Sequence, residues 1–389
     1  AAANPLKRWI FGQGWDHTAF PSAKMPTKDD LDSVVRDRPV MLWHTDEHYL
    51  VMNTKALEVL GMNTPEQTGI LMEQAALDAS GKVDRPSFDE LKNAFLQAQA
   101  EALKFGVTSV QGNPPFQNLE EYVRILDELH KSKQLKIRVA LWGNCQEPEK
   151  FAALKEKYKH IPHEWVDFSA LKCFMDGVIS ARTAALVEPY SDDKAMNGTP
   201  NFTQEQLNAI VLKANKMKFP VAIHAIGDRA IGMAINAFYS AKKQLFNSRV
   251  RNRIEHAELS SPTLYDRFHS LGVIASVQPS HMIYDNEKEN YNELRVGPKR
   301  VQNAFAWKNF QNAKVHMAFG TDWPVMPINP MIGLLGAVYR THYNGKPANG
   351  WLPTQKISMS DAIDAYTYGG AFASHEEDTK GSIREGKFA

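Results

Sequence analysis

Three short strand-like runs, far apart in the chain, each close on a side chain that can ligate a metal or carry a proton. Val221-Ala-Ile223 runs into His224, Arg253-Ile-Glu255 ends at His256, and Phe319-Gly-Thr321 leads to Asp322. Gly227 and Asp228 follow the first run, and an apolar helical pattern then extends from Ala230 to about Tyr239. The unit reads as strand, polar residue at the strand's carboxyl end, tight turn, helix. Its repetition predicts parallel strands whose ends face one way, the layout of a (β/α) barrel enzyme with its chemistry at one mouth.

The rest of the chain keeps the same beat. Strands are expected at 107–111, 137–142, 170–174, 221–224, 253–256, 273–278 and 317–320, with helices between them, for example at 119–131 and 204–216. That alternation means a parallel sheet. Seven strands are legible, and an eight-strand barrel needs one more. The stretch 38–43 is also a strand, but no clean βα unit joins it to 107. It is therefore assigned, with most of 1–87, to an insertion near the barrel mouth. Within it, 9–16 is a strand with a glycine turn, 26–35 a helix, and 53–60 a helix capped by Asn53 and closed by Gly61. The barrel is expected to run to 380, closing with a helix over 358–372. Residues 381–389 are expected to turn and open a strand of a small β domain. Both ends read as cut from a longer polypeptide: Ala1 to Pro5 look like the tail of a helix, and a loop is expected to be missing near Pro65.

Composition narrows the function classes. Of 389 residues, 43% are hydrophobic and 10% aromatic, enough for a core and against disorder. The formal net charge of +1, with no basic block, disfavours nucleic acid and anionic membrane as partners. No apolar run approaches the roughly 18 residues of a membrane span. A soluble, cytoplasmic chain is the expectation if no signal peptide has been removed, and a homo-oligomer is left open. Cys145 and Cys173 are the two cysteines, and two buried free thiols are expected rather than a disulfide or ligand pair.

A lone histidine on an apolar strand is usually a satisfied core residue. Two at equivalent strand ends, with Asp322 at a third, favour a site. Imidazole nitrogen and carboxylate oxygen suit Zn²⁺, with Mn²⁺ or Fe²⁺ as alternatives. Lys172 lies within a strand expected to be buried, where an ammonium is costly unless paired or modified. It either pairs with a carboxylate such as Asp176 or, carbamylated, bridges two metals. Arg182, on the following loop with Asp176, either holds a substrate carboxylate or makes a loop salt bridge. Asp228 reads as a helix cap. His281, just past a strand, and His48, in the insertion, line the wall or polarise a substrate oxygen. Trp15, Trp43, Trp142 and Trp323 line an aromatic pocket or fill cores.

Several motifs in order resemble a known family. His224-Ala-Ile-Gly-Asp-Arg-Ala230, Arg253-Ile-Glu-His-Ala257, Val277-Gln-Pro279, Gly320-Thr-Asp-Trp-Pro-Val325 and Gly381-Ser-Ile-Arg-Glu-Gly-Lys-Phe-Ala389 look like the amidohydrolase superfamily, in its YtcJ-like branch. Gly14-Trp-Asp16, Asp37-Arg-Pro-Val40 and Asn53-Thr-Lys-Ala-Leu57 fit the same branch, so the resemblance covers nearly the whole chain. It implies a (β/α)₈ TIM-barrel hydrolase using one or two divalent ions to cleave C–N bonds of amides, formamides or cyclic imides in small N-acyl substrates. By position, His224 and His256 would be metal ligands, Asp322 ligand and general base, and Lys172 the carbamylated ligand. His48, Asp176, Arg182, His281 and Trp323 would face substrate. One departure is plain: the family's first strand ends in His-x-His, and no such pair occurs here. The first strand and most of the small β-sandwich are therefore expected outside this chain, with 107–111 and 317–320 flanking an open slot. Two other readings remain: a non-catalytic barrel binding a small ligand, and a metal-independent lyase with Lys172 as Schiff base.

Overall fold

The computed structural model describes residues 9–17, 20–22, 24–83, 86–245, 248–284 and 291–388. The expected helix tail at Ala1 to Pro5, and Ala389 of the expected terminal strand, lie outside them. The chain forms two compact units, Ala1–Arg85 and Pro86–Ala389.

The first unit is a four-stranded sheet in the order β1 (Ile10–Trp15), β2 (Val40–His44), β3 (Tyr49–Met52), β4 (Ile70–Met72). The first pair is parallel and the other two antiparallel. Trp9, Met41, Leu50, Met52, Leu57 and Leu71 form its core. Asn53 ties it together. It caps the helix Thr54–Val59 as expected, its Oδ1 accepting from Ala56 N–H at 2.9 Å. The same oxygen also accepts from Val40 N–H at 2.9 Å, and Nδ2 donates to the carbonyls of Val35 and Arg38. A fully buried amide side chain is tolerable only with its valences filled in this way. The chain turns at 65–66, with Gln67 N–H bonded to Thr64 O.

The second unit is built on seven parallel strands: β5 (Ser109–Gly112), β6 (Arg138–Asn144), β7 (Val166–Phe174), β8 (Val221–Ala225), β9 (Arg253–His256), β10 (Ile274–Val277) and β11 (Met317–Phe319). Their order in the sheet is their order in the chain. All seven expected strands form. The strand 38–43 belongs to the other sheet, as β2, and does not bridge β5 and β11. Those two are the sheet's edges and do not pair with each other among the described residues.

The sheet is curled. Arg253 on β9 donates from Nη1 to Gln111 Oε1 on β5 at 2.7 Å, although four strand steps separate them. In a flat sheet that separation is about 19 Å. The outer face of β8, Val221 and Ile223, joins the main apolar core under the helices. The inner face carries Trp142, Ala170 and Ala222, together with buried Lys172, Arg253, Glu255 and Ser276. Arg253 lies over the Trp142 ring at 4.1 Å and 2.9 Å from Glu255, whose other oxygen accepts from Ser276 Oγ. These partners offset the cost of burying the guanidinium.

Three expectations are corrected. Cys145 and Cys173 form a disulfide, with Cα atoms 5.5 Å apart. Asn144 pairs with Lys172 in the β6–β7 ladder, so the next residues are also side by side, Cys145 N–H bonding to Lys172 O. The closing helix is two pieces, Met359–Tyr366 and Tyr368–Ala373, broken at Thr367. A Cβ on Gly369 would meet Met317 O at 2.2 Å, so the second piece packs backbone to backbone against β11. Residues 381–388, where a strand was expected to open, are turns and irregular chain. Among the described residues no helix is long and apolar enough to cross a membrane.

Candidate functional site

The carboxyl ends of β9, β10 and β11 bring His256, His281 and Asp322 together. His256 is the last residue of β9, His281 sits in the helical turn Pro279–Tyr284 that follows β10, and Asp322 lies three residues past β11. One ligand atom of each lies within 4.8 Å of the others. His281 Nε2 is 3.7 Å from Asp322 Oδ2, and its Nδ1 is bonded to Glu258 Oε1 at 3.4 Å. Since a carboxylate only accepts, Nδ1 carries the proton, and Nε2 presents its lone pair toward Asp322. The His281 ring stacks on His256 at 5.7 Å, and His224 meets His256 edge-on at 4.5 Å.

Backbone conformation helps to aim these side chains. His256, Ala257 and Asp322 have φ of 72°, 47° and 56°. Non-glycine residues reach this left-handed region at a cost, and it concentrates at functional sites. Strand alternation would put His256 on the helix-facing side with Ile254. The left-handed turn at the strand end breaks that alternation.

Of the ligand set expected from the sequence, His256 and Asp322 meet, and His224 stands one ring away. His224 Nε2 donates to Gly177 O at 3.1 Å. Lys172 is buried, with its ammonium over the Phe174 ring at 4.8 Å and the Trp142 ring at 5.9 Å. Burial pushes it below the ordinary lysine range. Glu255 and then Asp322 pull it back up, and Arg253 pushes it further down. The expected pairing with Asp176 does not form. Both Asp176 oxygens are occupied: Oδ1 accepts from Ile226 N–H, and Oδ2 from Gly227 and Ala185 N–H. This fully buried carboxylate pins the 185 loop to the turn after β8, and it is not open to substrate.

Arg182 bonds Asp192 through Nη2 at 2.8 Å, and Asp192 also takes Arg295, so the loop salt bridge forms. His48 belongs to the N-terminal unit and is bonded to Glu73 at 2.9 Å. Trp323, 46% exposed, follows Asp322 directly. Asp228 is the first residue of its helix rather than the cap, which is Gly227, and it accepts from Val187 N–H at 2.8 Å as well as from Arg229 N–H, so it fastens a loop. His281, expected to line the wall or polarise a substrate oxygen, stands with His256 and Asp322 as a third donor. Its signal was present: one ligating side chain near each of three successive strand ends.

The donor set of two imidazoles and one carboxylate is that of a catalytic zinc-type centre with room for another ligand. A curled parallel sheet with such a set across successive strand ends has the build of a barrel-type metal-dependent hydrolase. The chain belongs to the amidohydrolase family, whose model matches residues 1–389. It is similar to Protein LONG AFTER FAR-RED 3 of Arabidopsis thaliana, 29% identical over 404 residues, covering 98% of this chain and 68% of that one. It is similar to the putative amidohydrolase YtcJ of Bacillus subtilis (strain 168), 28% identical over 402 residues, covering 98% and 74%. A crystal structure of an uncharacterized metal-dependent hydrolase from Pyrococcus horikoshii OT3 superposes with a TM-score of 0.77 at 30% identity, covering 98% of this chain and 76% of that one.

Proposed function

We propose that this chain is the barrel of a hydrolase that cleaves a C–N bond in a small N-acyl compound, an amide, formamide or cyclic imide. The observation that carries the reading is the convergence of His256, His281 and Asp322 at three successive strand ends. These residues would hold the ion, zinc by the chemistry of the set, with His224 beside them. A bound divalent ion supplies Lewis acidity toward a carbonyl and lowers the pKa of water. Asp322 takes the proton of the attacking water and delivers it to the departing nitrogen. Glu258 holds His281 in the tautomer with Nε2 bare. Asp176 fixes the turn after β8 and, through the loop carrying Gly177, the ring of His224. Trp323 offers an exposed aromatic face beside Asp322 for an acyl or aryl group. Lys172, whose charged form burial disfavours, would bridge two ions if carbamylated.

The lack of pairing between β5 and β11 among the described residues supports a further part of the reading. An eighth strand, contributed from outside these residues and carrying the His-x-His pair, would close the barrel and complete the ligand set. Residues 1–87 would then be the insertion between that strand and β5. The lack of His-x-His within the chain also favours a second reading, a barrel that binds a small ligand without turning it over. Metal analysis of the full-length protein, with a screen of N-acyl compounds, separates the two. Stoichiometric metal and turnover support the hydrolase. A metal-free protein that binds an N-acyl compound unchanged supports the second.

A further inference from the structure

The N-terminal unit holds another group of histidine and carboxylate side chains, which the proposed hydrolysis does not use. Parallel pairing of β1 and β2, in register at Trp15 and His44, brings their carboxyl ends together. Asp16 and His17 follow β1 directly, and His44 closes β2. One ligand atom of each lies within 4.8 Å of the other two. Both histidines are buried, His17 at 8% exposure and His44 at 3%.

His44 is the informative residue. Its Nδ1 is 2.9 Å from Asp46 Oδ1, and the Asp46 backbone N–H approaches the same nitrogen at 3.3 Å. The two contacts ask for opposite tautomers. A bare Nδ1 would set a lone pair against an anion at 2.9 Å, whereas a proton there makes a charge-assisted contact, so the carboxylate decides. Nε2 is then the bare nitrogen. It is buried, makes no hydrogen bond among the described residues, and stands 4.0 Å from Asp16 Oδ1, beyond hydrogen-bond reach. A carboxylate behind one ring nitrogen and an open lone pair on the other is how metal-ligating histidines are held. Tyr49 stacks on the ring at 4.0 Å and Trp15 meets it edge-on at 4.8 Å, which fixes its direction.

We propose that Asp16, His17 and His44 form a divalent-metal site within the N-terminal unit, with Asp46 orienting His44. Two imidazoles and a carboxylate suit Zn²⁺, with water in the fourth position. With bonds of about 2.0–2.1 Å, tetrahedral ligand atoms stand about 3.3 Å apart, so modest side-chain rotation closes the cluster. The ion fastens the ends of β1 and β2 and is independent of the barrel reading.

The test uses the purified protein, stripped with chelator and dialysed against Zn²⁺ alone, with zinc counted per chain. His44→Ala is made in the wild type and in a His256→Ala/Asp322→Asn background that disables the barrel donors. Loss of one zinc equivalent in both backgrounds is expected. Asp46→Asn should weaken that equivalent by about 10–100-fold while leaving its stoichiometry at saturation. Because His44 is buried, Asp16→Ala at the rim provides a second variant, expected to lose the same equivalent with an unchanged circular dichroism spectrum. Unchanged zinc stoichiometry in either His44→Ala or Asp16→Ala overturns the proposal.

Discussion

Asp176→Ala tests how the turn after β8 is held. The carboxylate accepts three backbone N–H groups, from Ala185, Ile226 and Gly227, at 2.9–3.0 Å. Its side chain is fully buried. Hydrogen bonds to a charged acceptor are worth about 1.5–3 kcal/mol each, and an orphaned buried donor forfeits its solvation as well. Three such bonds do not add fully, because the alanine cavity admits water and the buried charge leaves with the side chain. A net loss of about 4 kcal/mol is expected. Asp176→Asn can keep its carbonyl oxygen on Ala185 and Gly227, but turns an NH₂ toward Ile226 N–H. It should lose about 2 kcal/mol. Urea unfolding followed by tryptophan fluorescence measures both, provided the slope is unchanged. A loss under about 1 kcal/mol for Asp176→Ala would mean that the three amides are satisfied otherwise and that Asp176 does not organise the site.

In the full-length enzyme, Asp322→Asn should lower kcat by about 10²-fold or more with a smaller change in KM; near-full activity removes it as general base. Glu258→Gln should weaken metal binding by about 10–100-fold, read by dialysis, through loss of the His281 tautomer. Glu377 is held below the ordinary glutamate range chiefly by its bond from Arg251. A depressed carboxylate stabilises the fold above its unfolded value and loses that contribution as pH falls through the folded value. Glu377→Gln should therefore cost about 1 kcal/mol near pH 7 and progressively less as pH falls below the ordinary glutamate range, by urea unfolding along the acid limb; a cost that does not fall with pH refutes the pairing. Peptide mapping of the unreduced protein should recover Cys145 and Cys173 in one linked pair of peptides, and separate peptides would refute the link.

The strand series was legible because β-branched runs alternate with helical periodicity, and neither signal needs tertiary information. Three things were not legible. The disulfide depends on the β6–β7 register, which apolar pattern alone leaves free along parallel strands. Arg253 and Glu255 look like charges interrupting a core strand. They face inward because a curled sheet has an interior in which Gln111, Trp142 and Ser276 can meet them. His281 looked like wall because it stands three residues past Gln278, and only the turn Pro279–Tyr284 folds it back.

That interior bears on how the site is kept. Arg253 reaches from β9 to Gln111 on β5, and Gln111 Nε2 in turn donates to Gly370 O, in the helix packed on β11. The two edges of the sheet are thus joined through one glutamine, although they share no ladder. A hydrogen-bonded tie of this kind resists opening of the curl, so the strand ends carrying His256 and Asp322 stay close. The strained φ values at those two residues, at about 1–3 kcal/mol each, persist only where the surroundings over-determine the backbone. Gln111→Ala should relax that constraint without touching a ligand, raising hydrogen exchange in β5 and in Tyr368–Ala373 together. Exchange raised in β5 alone would mean that the edges are held separately and that the curl does not depend on the glutamine.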